Sequence, residues 1–248
     1  MWLPDSILVT GAAGVIGRIV VSDLARDYSV LAVDVKERPP FWPDSVAYLR
    51  ESAASVEVAD ALPGTRFVLH LSTAADQDWR ALADVVIGQT RWLLRQAASA
   101  SVERVVLAST NNVTGGYERD LLQGRLRTLD PALLFSTPRP DSEYAAAKLF
   151  VEGYGRYIAD STQTSISCLR IGTVRSEDDP SAAVEEPGFE WIPGGKDGRS
   201  SRFRRTWLHH DDLSRIVREE LQATEPFRLR YAVSDNPGRY WPLSVSTK

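Results

Sequence analysis

Cysteine, histidine and long apolar runs are scarce in this sequence, and each scarcity narrows what the protein can be. Cys168 is the one cysteine among 248 residues, so no internal disulfide can form, and its apolar neighbours predict a buried strand residue. No window approaches the roughly 18 apolar residues that a membrane span needs. The first residues, Met-Trp-Leu-Pro-Asp, lack the basic region and apolar stretch of a signal peptide. We therefore expect a cytoplasmic location.

Strong charge of either sign is also missing. The formal net charge of −4 gives no reason to expect nucleic acid or an anionic membrane as a partner. His209 and His210 are adjacent, so their side chains point in different directions, and no third ligand is spaced to help them hold a metal. His70 ends an apolar run and is expected to be packed or hydrogen-bonded. We therefore predict no metal, nucleic-acid or membrane site.

What the sequence does contain is a regular alternation of apolar runs and helical patterns. The apolar runs cover 7–9, 30–33, 46–49, 67–71, 105–108 and 165–171, and the longest helical patterns cover 76–99 and 141–159. Such alternation predicts an α/β fold with a doubly wound parallel sheet, whose ligands bind beyond the carboxyl ends of the strands. Two stretches, 114–140 and 174–205, interrupt the alternation and are expected to be long loops near a site.

The first strand is followed by a glycine-rich turn, Thr-Gly-Ala-Ala-Gly-Val-Ile-Gly at 10–17. Gly11 can take the tight turn, Gly14 lets the backbone approach phosphate oxygens, and Gly17 lets the helix pack on the sheet. The N–H groups at the helix start then face a pyrophosphate. The second strand ends in Asp34, where a carboxylate can accept both ribose hydroxyls of NAD and repel the 2′-phosphate of NADP. The pattern predicts an NAD site.

Tyr144 and Lys148 stand one helical turn apart, in Asp-Ser-Glu-Tyr-Ala-Ala-Ala-Lys. Both side chains therefore lie on one helix face. A free tyrosine has a pKa of about 10, and a nearby ammonium lowers it by stabilising the phenolate. Such a pair is suited to acid/base work on an alcohol or a carbonyl. This spacing alone is typical of surface residues, but the turn upstream and the hydroxyl pair Ser109-Thr110 at a strand end favour the catalytic interpretation.

Together these motifs resemble the extended short-chain dehydrogenase/reductases, the NAD-dependent epimerase/dehydratase superfamily. The shared segments are 10–17, Asp34, His-Leu-Ser-Thr at 70–73, Ser-Thr-Asn-Asn-Val-Thr-Gly at 109–115, Tyr144/Lys148 and Leu-Arg-Ile-Gly at 169–172. The resemblance implies a Rossmann core over 1–171 and a small substrate-binding portion over 172–248. It also implies a homodimer that pairs the helices around 76–99 and 141–160. Within the superfamily the chain is most similar to the uronate dehydrogenases, which oxidise the anomeric hydroxyl of a free hexuronic acid to a lactone.

The resemblance assigns roles by position. Tyr144 would be the base, Lys148 its activator, and Thr110 a hydrogen-bond partner of the reacting oxygen. The implied cofactor-binding residues are Gly11, Ala13, Gly14, Val15, Ile16, Gly17, Asp34, Leu71, Ser72, Thr73, Tyr144, Lys148 and Ile171. Asn111, Asn112 and Thr173 would line the sugar, and Arg202 would hold the substrate carboxylate with its planar fork.

The chain departs from the family pattern at several positions. Asn112 stands where uronate dehydrogenases have a histidine, Ala75 where a serine is expected, and Val85 where superfamily members usually carry an asparagine. We therefore predict an NAD-dependent dehydrogenase of a sugar acid or related polyol whose substrate differs from simple glucuronate or galacturonate. Two alternatives remain open: a nucleotide-sugar epimerase or dehydratase with bound NAD, and a non-catalytic nucleotide-sensing protein.

Overall fold

A single eight-stranded sheet organises the part of the chain that the computed structural model describes, residues 5–74, 78–181 and 191–247. The strands are β1 (Ser6–Thr10), β2 (Ser29–Val33), β3 (Ala47–Leu49), β4 (Phe67–His70), β5 (Arg104–Thr110), β6 (Ser165–Ile171), β7 (Phe227–Ala232) and β8 (Val245–Ser246). Their order is β3-β2-β1-β4-β5-β6-β7-β8, and all neighbours are parallel except β7 and β8. The predicted α/β fold is confirmed.

Helices cover both faces of the sheet. They are α1 (Val15–Leu24), α2 (Val56–Ala61), α3 (Trp79–Ala81), α4 (Thr90–Ser99), α5 (Gly115–Leu122), α6 (Pro131–Ser136), α7 (Glu143–Ser161), α8 (Gly195–Thr206) and α9 (His210–Leu221). Successive strand residues point to opposite faces, so Ile7 belongs to the core cluster that α1 and α9 cover, whereas Leu8 belongs to the cluster that α2, α4 and α7 cover. No helix in the described ranges is long and apolar enough to cross a membrane.

The chain reverses its progress across the sheet between β1 and β4. It runs outward from β1 through β2 to β3, then crosses back so that β4 pairs with the other side of β1. Ligands of open parallel sheets bind in the crevice at such a reversal, beyond the carboxyl ends of the strands. The glycine turn after β1 and the residues after β4 and β5 therefore border one crevice.

The expectation of long loops is wrong where these stretches contain helices, and residues 174–181 and 191–194 have no regular helix or strand. Residues 114–140 hold α5 and α6, and 174–205 ends within α8. A local signal existed for α6, because Asp130 caps it by accepting from the Ala132 N–H at 2.9 Å and Pro131 occupies its first turn. For α8 the polar, glycine-rich sequence gave no such signal. Its order comes from tertiary packing, since Phe203 is fully buried.

The long helix expected over 76–99 is present over 79–99, although its turns are not all α-helical. Residues 75–77, and with them the Ala75 departure, lie outside the described residues. Asp78 caps α3, and a π-helical stretch, Leu82–Gln89, connects it to α4. Wide turns of this kind often mark functional sites. Here the stretch places Val85 and Gln89 on the wall of the cleft beside the glycine turn.

The C-terminal portion of the chain supplies the last two strands of the sheet, β7 and β8. In β7 the apolar side chains of Phe227, Leu229 and Tyr231 alternate with two arginines. Arg228 forms a two-pronged pair with Glu220 of α9, with Nε 2.8 Å and Nη2 3.1 Å from its carboxylate oxygens. The portion over 172–248 therefore adds β7 and β8 to the same sheet as the core.

Candidate active site

The glycine turn after β1 leaves no room for side chains at two positions. Gly11 has a φ of +67°, and a Cβ there would lie 2.6 Å from the backbone nitrogen of Ser72. A Cβ on Gly17 would lie 2.2 Å from the carbonyl oxygen of Ala12. Gly14 begins α1 in an extended conformation. The turn thus brings bare backbone and the start of α1 to the crevice, as binding of a pyrophosphate requires.

Asp34 lines the same cleft as the glycine turn. Its buried carboxylate accepts from the backbone N–H of Ala13 at 2.9 Å and of Lys36 at 3.0 Å. Two ionised oxygens have about four acceptor positions, so capacity remains for ribose hydroxyls. The cleft, of about 280 Å³, is lined by Gly11, Gly14, Asp34, Val35, Lys36, Glu51, Ser52, Ala53, Leu71, Ser72, Thr73, Val85 and Gln89. These residues fit NAD.

The other predicted cofactor residues divide between surface and core. Ala13, Gly14 and Val15 line a neighbouring hollow of about 530 Å³. Gly17 faces the protein interior, and Ile171 lies in the core at the end of β6. The cleft and this hollow together are lined by eight of the thirteen predicted residues, and Ile16, Gly17, Tyr144, Lys148 and Ile171 line neither.

The tyrosine and lysine motif lies on α7. Ser142 caps this helix by accepting from the Ala145 N–H at 3.2 Å, which fixes Tyr144 in its first turn. The Lys148 ammonium is buried, donates to the Ala108 carbonyl of β5 at 2.8 Å and lies 5.8 Å from the centroid of the Tyr144 ring. Burial lowers the pKa of Lys148 to about 8. Near neutral pH the lysine is charged and able to stabilise a phenolate.

The end of β5 supplies polar groups opposite α7. The Thr110 hydroxyl accepts from the Asn112 N–H at 3.2 Å and so caps the 3₁₀ turn Asn111–Thr114. Asn111 is buried, and among the described residues its Nδ2 has no hydrogen-bond partner. Leaving a buried donor unpaired is costly, so this amide is suited to a ligand oxygen. Asn112 is partly exposed beside it.

Thr206 of α8 connects Thr173, two residues after β6, to the backbone of Arg202. Thr173 shares a 2.9 Å hydroxyl contact with Thr206 of α8, and Thr206 donates to the Arg202 carbonyl at 3.1 Å. The Arg202 guanidinium is buried and donates to Glu118 of α5, with Nε–Oε1 at 2.7 Å and Nη2–Oε2 at 3.0 Å. Glu118 is a partner that the sequence did not reveal. The role of Arg202 toward a substrate carboxylate stays a prediction, because Glu118 would compete with that carboxylate for the guanidinium.

Sequence reasoning also missed a buried network behind the motif. Glu152, one turn after Lys148, accepts from the Ser109 hydroxyl at 2.6 Å and from the Arg170 Nε and Nη2 at 2.9 and 2.8 Å. Arg170 also donates to the Tyr231 hydroxyl at 2.9 Å. The one available signal was an arginine inside the apolar strand β6. The network fixes α7 against the strand that ends in Ser109 and Thr110.

The histidines behave as structural residues. His70 is buried between Thr10 and Thr90, with Nδ1 2.6 Å and Nε2 2.9 Å from their hydroxyl oxygens. Burial and the nearby Lys148 charge lower its pKa to about 3, so it is neutral. Within the described ranges no group of three potential metal ligands occurs.

Comparisons with known proteins show the family of this chain. Residues 7–228 match the model of the NAD dependent epimerase/dehydratase family. The L-arabinose 1-dehydrogenase (NAD(P)(+)) of Haloferax volcanii is 31% identical over 98% of this chain and 93% of its own. The uronate dehydrogenase of Pseudomonas syringae pv. tomato is 26% identical over 98% of this chain and 80% of its own.

Solved structures agree in fold. The glucuronic acid dehydrogenase of Chromohalobacter salexigens superimposes with a TM-score of 0.77 at 21% identity, over 97% of this chain and 80% of that one. The uronate dehydrogenase of Agrobacterium tumefaciens gives 0.76 at 22% identity, over 96% and 80%. The predicted fold, NAD cofactor and enzyme class are confirmed. The chain belongs to the NAD dependent epimerase/dehydratase family.

Proposed function

We propose that the protein oxidises the anomeric hydroxyl of a free sugar or sugar acid to a lactone, with NAD as the oxidant. The observation that carries the proposal is the buried Lys148 ammonium beside the Tyr144 ring, at the end of β5. Relatives named as an arabinose and a uronate dehydrogenase support a sugar as substrate. The crevice beyond β1 and β4 supports NAD as the group that receives the hydride.

Tyr144 is the proton acceptor in this proposal. Its phenolate, stabilised by the Lys148 charge, takes the proton of the anomeric hydroxyl while the hydrogen on the same carbon leaves as hydride. The Thr110 hydroxyl holds the reacting oxygen, and the unpartnered Asn111 amide donates to a sugar oxygen. The nicotinamide ribose would lie against Tyr144 and Lys148. Each of these groups orients one part of a small substrate, which lowers the entropic part of the barrier.

A panel of free sugars, sugar acids and nucleotide sugars tests the proposal through NADH absorbance. A free sugar should give NADH and a lactone. In Tyr144→Phe the turnover should fall at least about a hundredfold, the usual contribution of a positioned acid/base. NADH binding, measured by fluorescence, should stay unchanged. Tyr28→Phe is the control, because Tyr28 packs on the face of the sheet opposite to α7 and its hydroxyl accepts an exposed hydrogen bond from Gln222.

Two outcomes would refute it. Near-normal turnover in Tyr144→Phe would remove the proposed base. Conversion of a nucleotide sugar into its epimer without net NADH would favour the epimerase alternative, in which the hydride returns to the substrate.

We further infer that the protein works in the cytoplasm as a homodimer. Aromatic side chains of α7 form an exposed row, in which Phe150 stacks on Tyr154 with ring centroids 5.7 Å apart and Tyr157 follows one turn on. Pairing α7 and α4 with their copies across a two-fold axis would cover this row. The single buried thiol, Cys168, needs no oxidising compartment.

A further inference from the structure

A buried ion pair bridges the two segments expected to line the sugar. Glu118 lies on α5, the helix that follows the 3₁₀ turn of Asn111. Arg202 lies on α8, one turn before Thr206, whose hydroxyl contacts that of Thr173. The side chains of Arg202 and Glu118 are only 5% and 1% exposed. The pair is two-pronged, which is the strongest geometry for a guanidinium and a carboxylate.

Another carboxyl group lies near this pair. Asp141, three residues before Tyr144, is partly buried, and the positive charges of Arg119 and Arg202 both act on its carboxyl. The Arg202 fork itself is held by Glu118, so a substrate carboxylate that binds this fork has to displace Glu118. The displaced carboxylate would then be a buried anion without its partner, which is costly.

We propose that Glu118 is a specificity-determining residue: by occupying the Arg202 fork, it makes the sugar site select an uncharged sugar over a uronate. The inference rests on the proposed function and narrows its substrate class. Neutral hydroxyls need donors and acceptors without net charge, and the Asn111 amide is such a group. The charge of the arginine that would recognise a carboxylate is thereby neutralised by Glu118.

Three sugars with the same ring configuration test this preference in the wild-type protein. L-Arabinose, D-galactose and D-galacturonate differ only in the substituent next to the ring oxygen, which is a hydrogen, a hydroxymethyl group or a carboxylate. At saturating NAD, kcat/KM should favour the better uncharged sugar over the uronate by at least about tenfold, because the uronate has to displace Glu118 from Arg202.

Two variants then identify Glu118 as the cause. Glu118→Gln keeps the shape and one acceptor but removes the negative charge, so the uronate-to-neutral ratio of kcat/KM should rise at least about tenfold. The double variant Glu118→Gln/Arg202→Gln restores neutrality, so its ratio should return toward the wild-type value. A loss of packing alone would not reverse in this way. Glu220→Gln is the matched control, since Glu220 is fully buried, makes a two-pronged pair with Arg228 and lies on α9.

Each outcome decides between the hypotheses. A wild-type preference for galacturonate overturns the inference while the dehydrogenase function stands, and so does an unchanged ratio in a folded Glu118→Gln protein. Should that variant fail to fold, the wild-type series alone decides. If no free sugar reduces NAD although the protein binds NADH, the proposed function fails, and this inference with it.

Discussion

Replacing Glu152 by glutamine should destabilise the protein far more than the same change in an exposed pair. Glu152 and Arg170 are a buried pair, with side chains 6% and 1% exposed, that also binds the Ser109 hydroxyl. Removing one partner of such a pair costs about 3–5 kcal/mol, because the other charge stays buried. Glutamine keeps one oxygen as an acceptor, so the lower value, about 3 kcal/mol, applies. For a chain of this length about 2–4 °C of Tm is lost per kcal/mol, which gives a fall of about 6–12 °C.

Glu103→Gln is the control for this measurement. Glu103 makes a similar two-pronged pair with Arg66, at 2.7 and 3.2 Å, but its side chain is 59% exposed. Exposed pairs contribute about 1 kcal/mol or less, so the Tm should fall by less than about 4 °C. Circular dichroism of both variants during heating, with denaturant unfolding as a second measure, decides the matter. Equal losses in Glu152→Gln and Glu103→Gln would refute the reasoning from burial.

Three further results are expected. Asp34 should make the protein bind NADH more tightly than NADPH in a fluorescence titration, since a carboxylate repels a 2′-phosphate; tighter NADPH binding would contradict its role. Burial lowers the pKa of His70 to about 3, so the stability that the neutral imidazole contributes is fully present above about pH 6.5 and is lost as the pH falls toward 3. When the pH is lowered from 6.5 to 5, the free energy of unfolding measured with denaturant should fall by up to about 2 kcal/mol more in the wild type than in His70→Gln. Equal falls in the two proteins would show that His70 does not take up a proton on unfolding. Sedimentation at micromolar concentration should give a dimer through α7, and a monomer would remove that proposal.

Several of the strands that were predicted from the sequence have apolar side chains on both faces. In β1, β4 and β5 each neighbouring position is buried, so a continuous apolar run marks the strand. β7 lies nearer the edge, and Arg228 and Arg230 interrupt its apolar pattern. These arginines are stabilised by Glu219 and Glu220 of α9. The sequence alone could not show that those charges have partners.

In the candidate site, the sequence predicted a contact between residues close along the chain and missed a contact between distant ones. Tyr144 and Lys148 lie one turn apart on one helix, so their spacing alone brings them together once α7 forms. Arg202 and Glu118 are 84 residues apart and meet only because α8 packs beside α5. The motif therefore pointed to Arg202 as a site residue, and the structure shows that its charge partner is Glu118. Because recognition of a carboxylate depends on net charge as well as on geometry, the proposed preference for an uncharged sugar rests on the pair and not on the arginine alone.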